Sequence, residues 1–342
     1  MTSAPSPIIS RSREHRKILS YECAIIEGIY HPRRCKGAKI YGKNAQESHK
    51  AANETHNSIK IRTQKKRKEK GGSTMLAHYE AGDPDHPMIV LVHGVCNAGV
   101  QWVDLIRHLS DRYFVIAFDS LGHGVSPRFP DGELDSPADS SALALEEALD
   151  YVERLHNKKP VVIAHSMGGA MSSKLSIRRP DLFAGLILED PAWLSTEQAA
   201  GYRERAGEQI ELGKKWRTNP AAALRGNMEL RPHWDSQSHA AWIYAKTLVD
   251  PRLLAAGIVS FPEPWREVAQ AISVPSVIVT SDTDEVLIGT SGIQAIAELG
   301  NPALRTEIIP NVGHAVSEDA PEEFCALVDK YLAQWLPSSP SR

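Results

Sequence analysis

Residues 161–170 read VVIAHSMGGA, an apolar run followed by a serine and a pair of glycines. Its first four residues are apolar and follow a proline, which is typical of a short strand buried on both faces. Residues 168–179 have the pattern of a helix that stops before the next proline. The turn between strand and helix must therefore be very tight, and Ser166 lies at its centre.

Two structural features are expected around a serine in such a turn. Small neighbours are needed because the strand and helix backbones nearly touch, and the free N–H groups of the helix N-terminus point toward the serine. These features define the G-x-S-x-G nucleophile elbow. The sequence Ala164-His165-Ser166-Met167-Gly168 keeps this pattern except that alanine replaces the first glycine. The alternative interpretation is a serine that caps a helix in an ordinary turn.

Strands and helices alternate along most of the remaining chain. Apolar runs predict strands at 88–94, 113–118, 161–164, 184–190, 277–280 and 305–309, after a possible hairpin of residues 58–64 and 74–82. Amphipathic patterns and helix boundary signals predict helices at 99–109, 137–156, 168–179, 290–299 and 320–336. This alternation predicts an α/β fold with a mostly parallel sheet flanked by helices. Ligands of such sheets bind at the carboxyl ends of the strands.

The alternation of strands and helices is interrupted by residues 191–265, after the sixth predicted strand. The segment is mostly helical in pattern, and five of the seven tryptophans lie in it. An aromatic-rich insertion between two strands is typical of a lid over the crevice, although tryptophans at helical spacing also serve plain packing. The predicted organisation is therefore a core at 58–190 and 266–336, a helical lid at 191–265, and a tail at 337–342.

The start of the chain differs from the rest in charge. Residues 1–74 contain 17 Lys/Arg against 6 Asp/Glu, whereas the whole chain has a net charge of −3. A basic segment can bind nucleic acid or an anionic membrane, but this one has little apolar periodicity. We therefore predict a basic, disordered leader at 1–57 and expect no nucleic-acid partner.

Composition limits the class of protein. No apolar run approaches the length of a membrane span, and the N-terminus lacks the apolar stretch of a secretory signal. The four cysteines are scattered, without the spacing of a disulfide framework or a zinc site. A phosphate-binding G-x-x-x-x-G-K-[ST] motif is also absent. The sequence predicts a cytoplasmic protein that needs no cofactor or metal and could form a homodimer.

A serine hydroxyl becomes a nucleophile only when a general base lies within hydrogen-bond reach. His314 follows the strand predicted at 305–309, and Gly313 before it allows the loop to turn sharply. We therefore predict that His314 is the base. A lone histidine is more often structural than catalytic, and most of the other histidines fall in the leader, in predicted helices or in the lid.

The base in turn needs an acid that orients its ring. Asp282 and Asp284 follow one predicted strand and Asp190 ends the preceding one. We favour Asp284, with Asp282 and Asp190 as alternatives. Backbone N–H groups would stabilise the developing oxyanion, and Met167 and Val95 are predicted to supply them.

Together these pieces make the chain resemble the α/β-hydrolase fold superfamily, in the broad group of lid-bearing serine hydrolases. The matching stretches are LVHG (91–94), FDSLGHGVS (118–126), AHSMGG (164–169), LILEDPAW (186–193), TSDTDEV (280–286) and NVGHAVSEDAPEEF (311–324). The resemblance covers roughly residues 76–336 and implies the Ser…Asp…His order of Ser166, Asp284 and His314. The family's acid loop commonly reads G-x-x-D, and Ser281-Asp282-Thr283-Asp284 keeps its aspartate but not its glycine.

The resemblance implies a hydrolase that acts on an ester or a related acyl compound, with a small-molecule substrate. One alternative is a carbon–carbon bond hydrolase of a ring-cleavage product, for which Arg203, Arg205 or Arg231 in the lid could bind the substrate carboxylate. The other alternative is a ligand receptor with negligible turnover. Related enzymes that remove halogens or open epoxides carry aspartate at the elbow, so the serine argues against both of those reactions.

Overall fold

A computed structural model describes residues 60–62 and 75–336 of the 342-residue chain. The predicted leader at 1–57, the tail at 337–342 and both ends of the first hairpin strand lie outside the described residues. For residues 60–62 only the path of the backbone is described.

The described strands form a single eight-stranded sheet in the order β1-β2-β4-β3-β5-β6-β7-β8. The strands are β1 (Lys60–Arg62), β2 (His78–Ala81), β3 (Met88–Val92), β4 (Phe114–Phe118), β5 (Val161–His165), β6 (Gly185–Glu189), β7 (Ser276–Thr280) and β8 (Leu304–Ile308). The first two are antiparallel to their neighbours, and all pairs from β4 to β8 are parallel. The predicted mostly parallel sheet is confirmed.

Helices cover both faces of this sheet. They are α1 (Val103–Leu109), α2 (Pro137–His156), α3 (Ser166–Arg178), α4 (Thr196–Glu204), α5 (Ala206–Thr218), α6 (Pro220–Leu230), α7 (Ser236–Thr247), α8 (Pro251–Ala256), α9 (Trp265–Ala271), α10 (Gly289–Leu299), α11 (Val316–Asp319) and α12 (Pro321–Trp335). None of these helices in the described part of the chain is long and apolar enough to cross a membrane.

The strands are apolar throughout because both of their faces are buried. In β3, Val90 and Val92 belong to an apolar cluster that includes residues of α2, α3 and α10, whereas Ile89 and Leu91 belong to a cluster that includes residues of α1 and α12. Successive side chains of a strand point to opposite faces, so one strand supplies both cores. Burying a side chain of this size contributes roughly 1.5–3 kcal/mol, and a continuous apolar run therefore stabilises the central strands from both sides.

Six helices, α4 to α9, lie between β6 and β7, and the first five of them fall within residues 191–265, where the sequence predicts an insertion. The first of them begins with a capping box: Ser195 Oγ accepts the Gln198 N–H and Gln198 Oε1 accepts the Ser195 N–H. The edge-to-face pair of Trp216 and Trp242, with ring centroids 6.1 Å apart, packs in a separate apolar cluster of these helices. We call residues 191–265 the helical insertion, and its action as a lid stays a prediction.

The structure differs from the predicted helices at two positions near the sheet edge. The helix predicted at 168–179 begins two residues earlier, at Ser166. The helix predicted at 99–109 consists of a 3₁₀ turn, Gly99–Gln101, followed by α1. A Cβ on Gly99 would lie 2.7 Å from the Ala117 carbonyl oxygen, so this turn runs directly against β4.

Candidate active site

Ser166 occupies the turn in which the chain passes from β5 directly into α3. Its φ is +51°, a left-handed conformation that is uncommon for a residue with a side chain. A Cβ on Gly168 would lie 2.6 Å from the carbonyl oxygens of Val92 and His93. Only glycine therefore allows α3 to approach β3 this closely, and the turn holds the serine hydroxyl at the carboxyl edge of the sheet.

His314 lies between Ser166 and a carboxylate. Its Nε2 is 2.9 Å from Ser166 Oγ, and its Nδ1 is 2.5 Å from Asp190 Oδ2. These contacts fit an imidazole that donates its Nδ1–H to the carboxylate and accepts the serine proton at Nε2. Three segments that are far apart in the sequence thus form a continuous hydrogen-bonded relay.

The carboxylate that reaches His314 is Asp190, not the favoured Asp284. Asp190 directly follows β6 and is fully buried with φ +35°. Its oxygens also accept the Thr280 hydroxyl at 2.8 Å and the N–H groups of Leu287 at 2.7 Å and Ile288 at 3.0 Å. These donors fix the position of both carboxylate oxygens.

Asp190, one of the two alternatives, therefore takes the place beside His314 that the sequence analysis predicts for Asp284. Asp284 and Asp282 are both exposed, and Asp282 accepts the Asn311 N–H at 2.8 Å. The loop after β7 wraps around Asp190 and directs backbone N–H groups at it. That loop thus holds the Asp190 carboxylate in place.

The two predicted oxyanion donors belong to segments that flank the serine. Met167 is the second residue of α3, and Val95 lies in the loop after β3. This loop passes close to the elbow, since a Cβ on Gly94 would lie 3.0 Å from Ser166 Cβ. Neither N–H donates a hydrogen bond to an acceptor in the described part of the chain.

Two buried histidines that the sequence analysis did not single out hold the loop after β3. His93 donates from Nδ1 to the Gly94 carbonyl and accepts the Ser120 N–H at Nε2. His123 accepts the Cys96 N–H, and Cys96 has φ +62°. Burial lowers the pKa of His93 well below its usual value and that of His123 to about 4, so both rings stay neutral and can accept these N–H groups.

A third buried histidine supports the base itself. His165 packs its ring 4.6 Å from that of His314 and donates from Nε2 to the His314 carbonyl at 3.2 Å. Burial lowers the pKa of His165 well below its usual value, and the neighbouring His314 lowers it further. The His165 ring therefore orients the loop that carries His314.

The His314 loop is also anchored by Glu189, the residue before Asp190. The buried Glu189 carboxyl group accepts the Ser317 N–H at 2.6 Å and the Ser317 hydroxyl at 3.1 Å. Burial raises the pKa of this group from about 4.5 to about 8, although the Ser317 donors oppose the shift. The folded protein therefore keeps a proton near neutral pH that the unfolded chain releases.

This proton makes stability depend on pH. Between about pH 5 and pH 8 the folded state binds the extra proton, so rising pH favours unfolding by at most ~1.4 kcal/mol per pH unit. Glu189→Gln mimics the protonated group. The free energy of unfolding of this variant, relative to that of the wild type, should therefore increase as the pH rises. Urea unfolding at pH 6, 7 and 8 measures the difference. The exposed Glu322→Gln is the control, and a constant difference for Glu189→Gln would contradict the prediction.

A cavity of about 570 Å³ lies between the helical insertion and the His314 loop. Its wall contains Trp216, Trp242 and Lys246 from the insertion together with His314, while Ser166 is 2% exposed and does not line it. Lys246 is buried, and its Nζ donates to Asn97 Oδ1 at 3.0 Å. The insertion is thereby joined to the loop that carries Val95. This volume suits a small molecule.

Within residues 75–336 no group of three or more His, Cys, Asp or Glu side chains is arranged to hold a metal ion. The chemistry available at the edge of the sheet is that of an alcohol, an imidazole and a carboxylate in series. Such a relay can activate the alcohol for attack on a carbonyl carbon.

Known proteins resemble this chain in sequence and in fold. The profile described as the Alpha/beta hydrolase family matches residues 89–327. A protein of Oryza sativa subsp. japonica that is named as a probable esterase is 27% identical over 247 residues, which cover 70% of this chain and 89% of that protein. "(E)-2-((N-methylformamido)methylene)succinate hydrolase" of Acinetobacter baylyi is 25% identical over 272 residues, which cover 77% and 95%.

A solved structure agrees with these matches at the level of the fold. The crystal structure of E-2-(acetamidomethylene)succinate hydrolase superposes with a TM-score of 0.61 at 20% sequence identity. The superposition covers 75% of this chain and 94% of that structure. The same architecture therefore extends over nearly the whole of a solved hydrolase.

Proposed function

The chain belongs to the alpha/beta hydrolase family, and we propose that it cleaves an ester or a related acyl bond of a small molecule through an acyl-enzyme. The observation that carries this proposal is the relay in which His314 lies 2.9 Å from Ser166 Oγ and 2.5 Å from Asp190. Similarity to a probable esterase and to a succinate-derivative hydrolase supports the same class of reaction.

Each residue of the relay has one step to perform. Ser166 Oγ attacks the carbonyl carbon while His314 Nε2 accepts its proton, and Asp190 stabilises the imidazolium that forms. The N–H groups of Val95 and Met167 stabilise the oxyanion, a contribution of about 3 kcal/mol for each donor. His314 then protonates the leaving group, and water releases the acyl group from Ser166 by the same proton transfers.

A fluorophosphonate probe tests this proposal directly, because it reacts with an activated serine. Incubation of the full chain should attach one phosphonyl group, and mass spectrometry of the peptides should place it on Ser166. The labelled protein should lose its activity on a panel of 4-nitrophenyl esters in proportion to labelling. Modification of other residues alone, with Ser166 intact, would rule out the proposed nucleophile.

The same panel separates the alternatives. A carbon–carbon bond hydrolase would turn over a ring-cleavage diketone acid faster than any simple ester. A ligand receptor would accept the label yet show no steady-state turnover of either substrate. We favour acyl hydrolysis because the relay, the donors and the cavity need no further group to perform it.

A further inference from the structure

A line of hydrogen bonds ends at the wall of the cavity. It joins the side chains of His239, Asn227 and Arg231. Asn227 lies near the end of α6, Arg231 directly follows that helix, and both line the same cavity as His314, whereas His239 lies on α7. Asn227 is 2% exposed and His239 is 5% exposed. A buried polar side chain destabilises the fold unless it makes hydrogen bonds. The hydrogen bonds of Asn227 and His239 therefore fix the orientation of these side chains.

The orientation of each group in the line is determined by the next. His239 Nδ1 accepts the Asn227 Nδ2–H at 2.9 Å, and Asn227 Oδ1 accepts an N–H of Arg231 at 2.7 Å. Burial lowers the pKa of His239, and the Arg231 charge lowers it further. The ring therefore stays neutral and accepts from the amide, which leaves the amide oxygen directed at Arg231.

An aromatic ring fixes the other side of the guanidinium. The Arg231 Cζ lies 4.7 Å from the centroid of the Trp234 ring, and Trp234 itself packs against His239. Asn227 and Trp234 are neutral groups, so they hold the guanidinium in one place without cancelling its charge. A guanidinium that is fixed in advance binds a carboxylate with little further loss of side-chain freedom.

The wall of the cavity also contains charged groups other than Arg231. They are the cations Lys215 and Lys246 and the carboxyl groups Glu229, Glu318 and Asp319. Asp319 accepts the Gly313 N–H at 2.9 Å; burial raises the pKa of its carboxyl group, whereas this hydrogen bond and the Arg231 charge lower it. Glu318 accepts an N–H of Gln101. The cavity therefore has mixed charge overall, and recognition of an anion depends on the directed donors of Arg231.

We propose that Arg231 binds a carboxylate of the substrate, so that this protein acts on acyl compounds that carry an acid group. The inference rests on the proposed hydrolase function and narrows it to a substrate class. Of the three arginines considered from the sequence, Arg231 lines the cavity, whereas Arg203 and Arg205 do not. Asn227 and His239 are then positioning residues for this guanidinium.

A matched pair of substrates tests the proposal. Mono(4-nitrophenyl) glutarate and 4-nitrophenyl pentanoate share a leaving group and chain length and differ in the terminal carboxylate. The wild type should have the higher kcat/KM for the glutarate. In Arg231→Gln the ratio of the two kcat/KM values should fall by about 10- to 100-fold, mainly through KM, since a charged hydrogen bond is lost. Arg231→Lys should recover part of the ratio.

The matched control is Arg225→Gln, since Arg225 is an exposed arginine of α6 that does not line the cavity. Its ratio should equal that of the wild type. An Arg231→Gln ratio equal to that of the wild type would overturn the carboxylate site, while continued Ser166-dependent cleavage of the pentanoate would leave the hydrolase standing.

Binding of glutarate itself provides a measurement that does not need turnover. Isothermal calorimetry should detect glutarate on the wild type and on Arg225→Gln, with affinity at least tenfold weaker on Arg231→Gln. Equal affinity on all three proteins would overturn the site. If both esters resist cleavage but glutarate binding still depends on Arg231, the hydrolase proposal fails and the carboxylate site is supported.

Discussion

Ser166→Ala should lower kcat on an ester substrate by about 10⁴- to 10⁶-fold. The substitution removes the oxygen that attacks the carbonyl carbon and leaves the backbone of the turn unchanged. The remaining activity should come from the oxyanion donors and from substrate binding, because neither depends on the hydroxyl. Steady-state kinetics with a 4-nitrophenyl ester, with the spontaneous rate subtracted, measures the loss.

A second serine of the same helix provides a matched control. Ser172 is buried in α3, and its hydroxyl has no hydrogen-bond partner among the described residues. Ser172→Ala should therefore keep wild-type kcat, which would show that a buried serine of α3 can be removed without general damage. Turnover of Ser166→Ala within tenfold of the wild type would contradict the proposed role of Ser166.

Combining substitutions tests whether the relay acts as a unit. Once Ser166 is absent, His314 has no proton to accept, so Ser166→Ala/His314→Ala should be no slower than Ser166→Ala alone. If the two side chains acted independently, their separate fold-losses in kcat would multiply, and the double variant would be slower than Ser166→Ala. This comparison needs only the two variants and the wild type, assayed at the same pH.

The fold could be predicted from the sequence because strand burial leaves a direct signal. Central strands that are covered on both faces read as continuous apolar runs, and α2 begins with a proline at its first turn. The turn at Ser166 was also predictable, since only small residues permit the approach that Gly168 makes to β3. The predicted start of α3 is two residues too late, because the amino-acid sequence does not indicate that Ser166 has a left-handed backbone conformation.

The carboxylate that contacts His314 is harder to predict because several aspartates follow neighbouring strands. Asp190 and Asp284 both come after parallel strands and so reach the same edge of the sheet. What separates them is the path of the loop after β7, which places the N–H groups of Leu287 and Ile288 on Asp190. Hydrogen bonds from a backbone carry no sequence signature, so propensity and spacing could not choose between the two.

The supporting residues of the site left even less signal. His93 and His165 stand inside the quoted stretches LVHG and AHSMGG, where each could be interpreted as part of a tight turn. Their roles depend on partners far away in the sequence, such as Ser120 and the His314 carbonyl. Arg231 could be named from the sequence as one of three cations, but only the contacts with Asn227 and Trp234 distinguish it.

Asp190→Asn should lower kcat by about 10⁴-fold, with little change in the fold of the sheet. An amide in place of the carboxylate can present an N–H to His314 Nδ1, which moves the imidazole proton to Nε2. The ring can then no longer accept the proton of Ser166. The loss should appear at every pH at which the wild type is active, because the wrong tautomer is not corrected by titration.

Asp284→Asn is the matched control, since it makes the same chemical change on an exposed aspartate of the loop after β7. Its kcat should stay within about threefold of the wild-type value. Circular dichroism and urea unfolding of both variants separate a lost relay from a lost fold, which matters because the Asp190 carboxylate also accepts the Leu287 and Ile288 N–H groups. A large loss in Asp284→Asn together with near-normal turnover in a folded Asp190→Asn would reverse the assignment, because the acid would then have to reach His314 from the loop after β7.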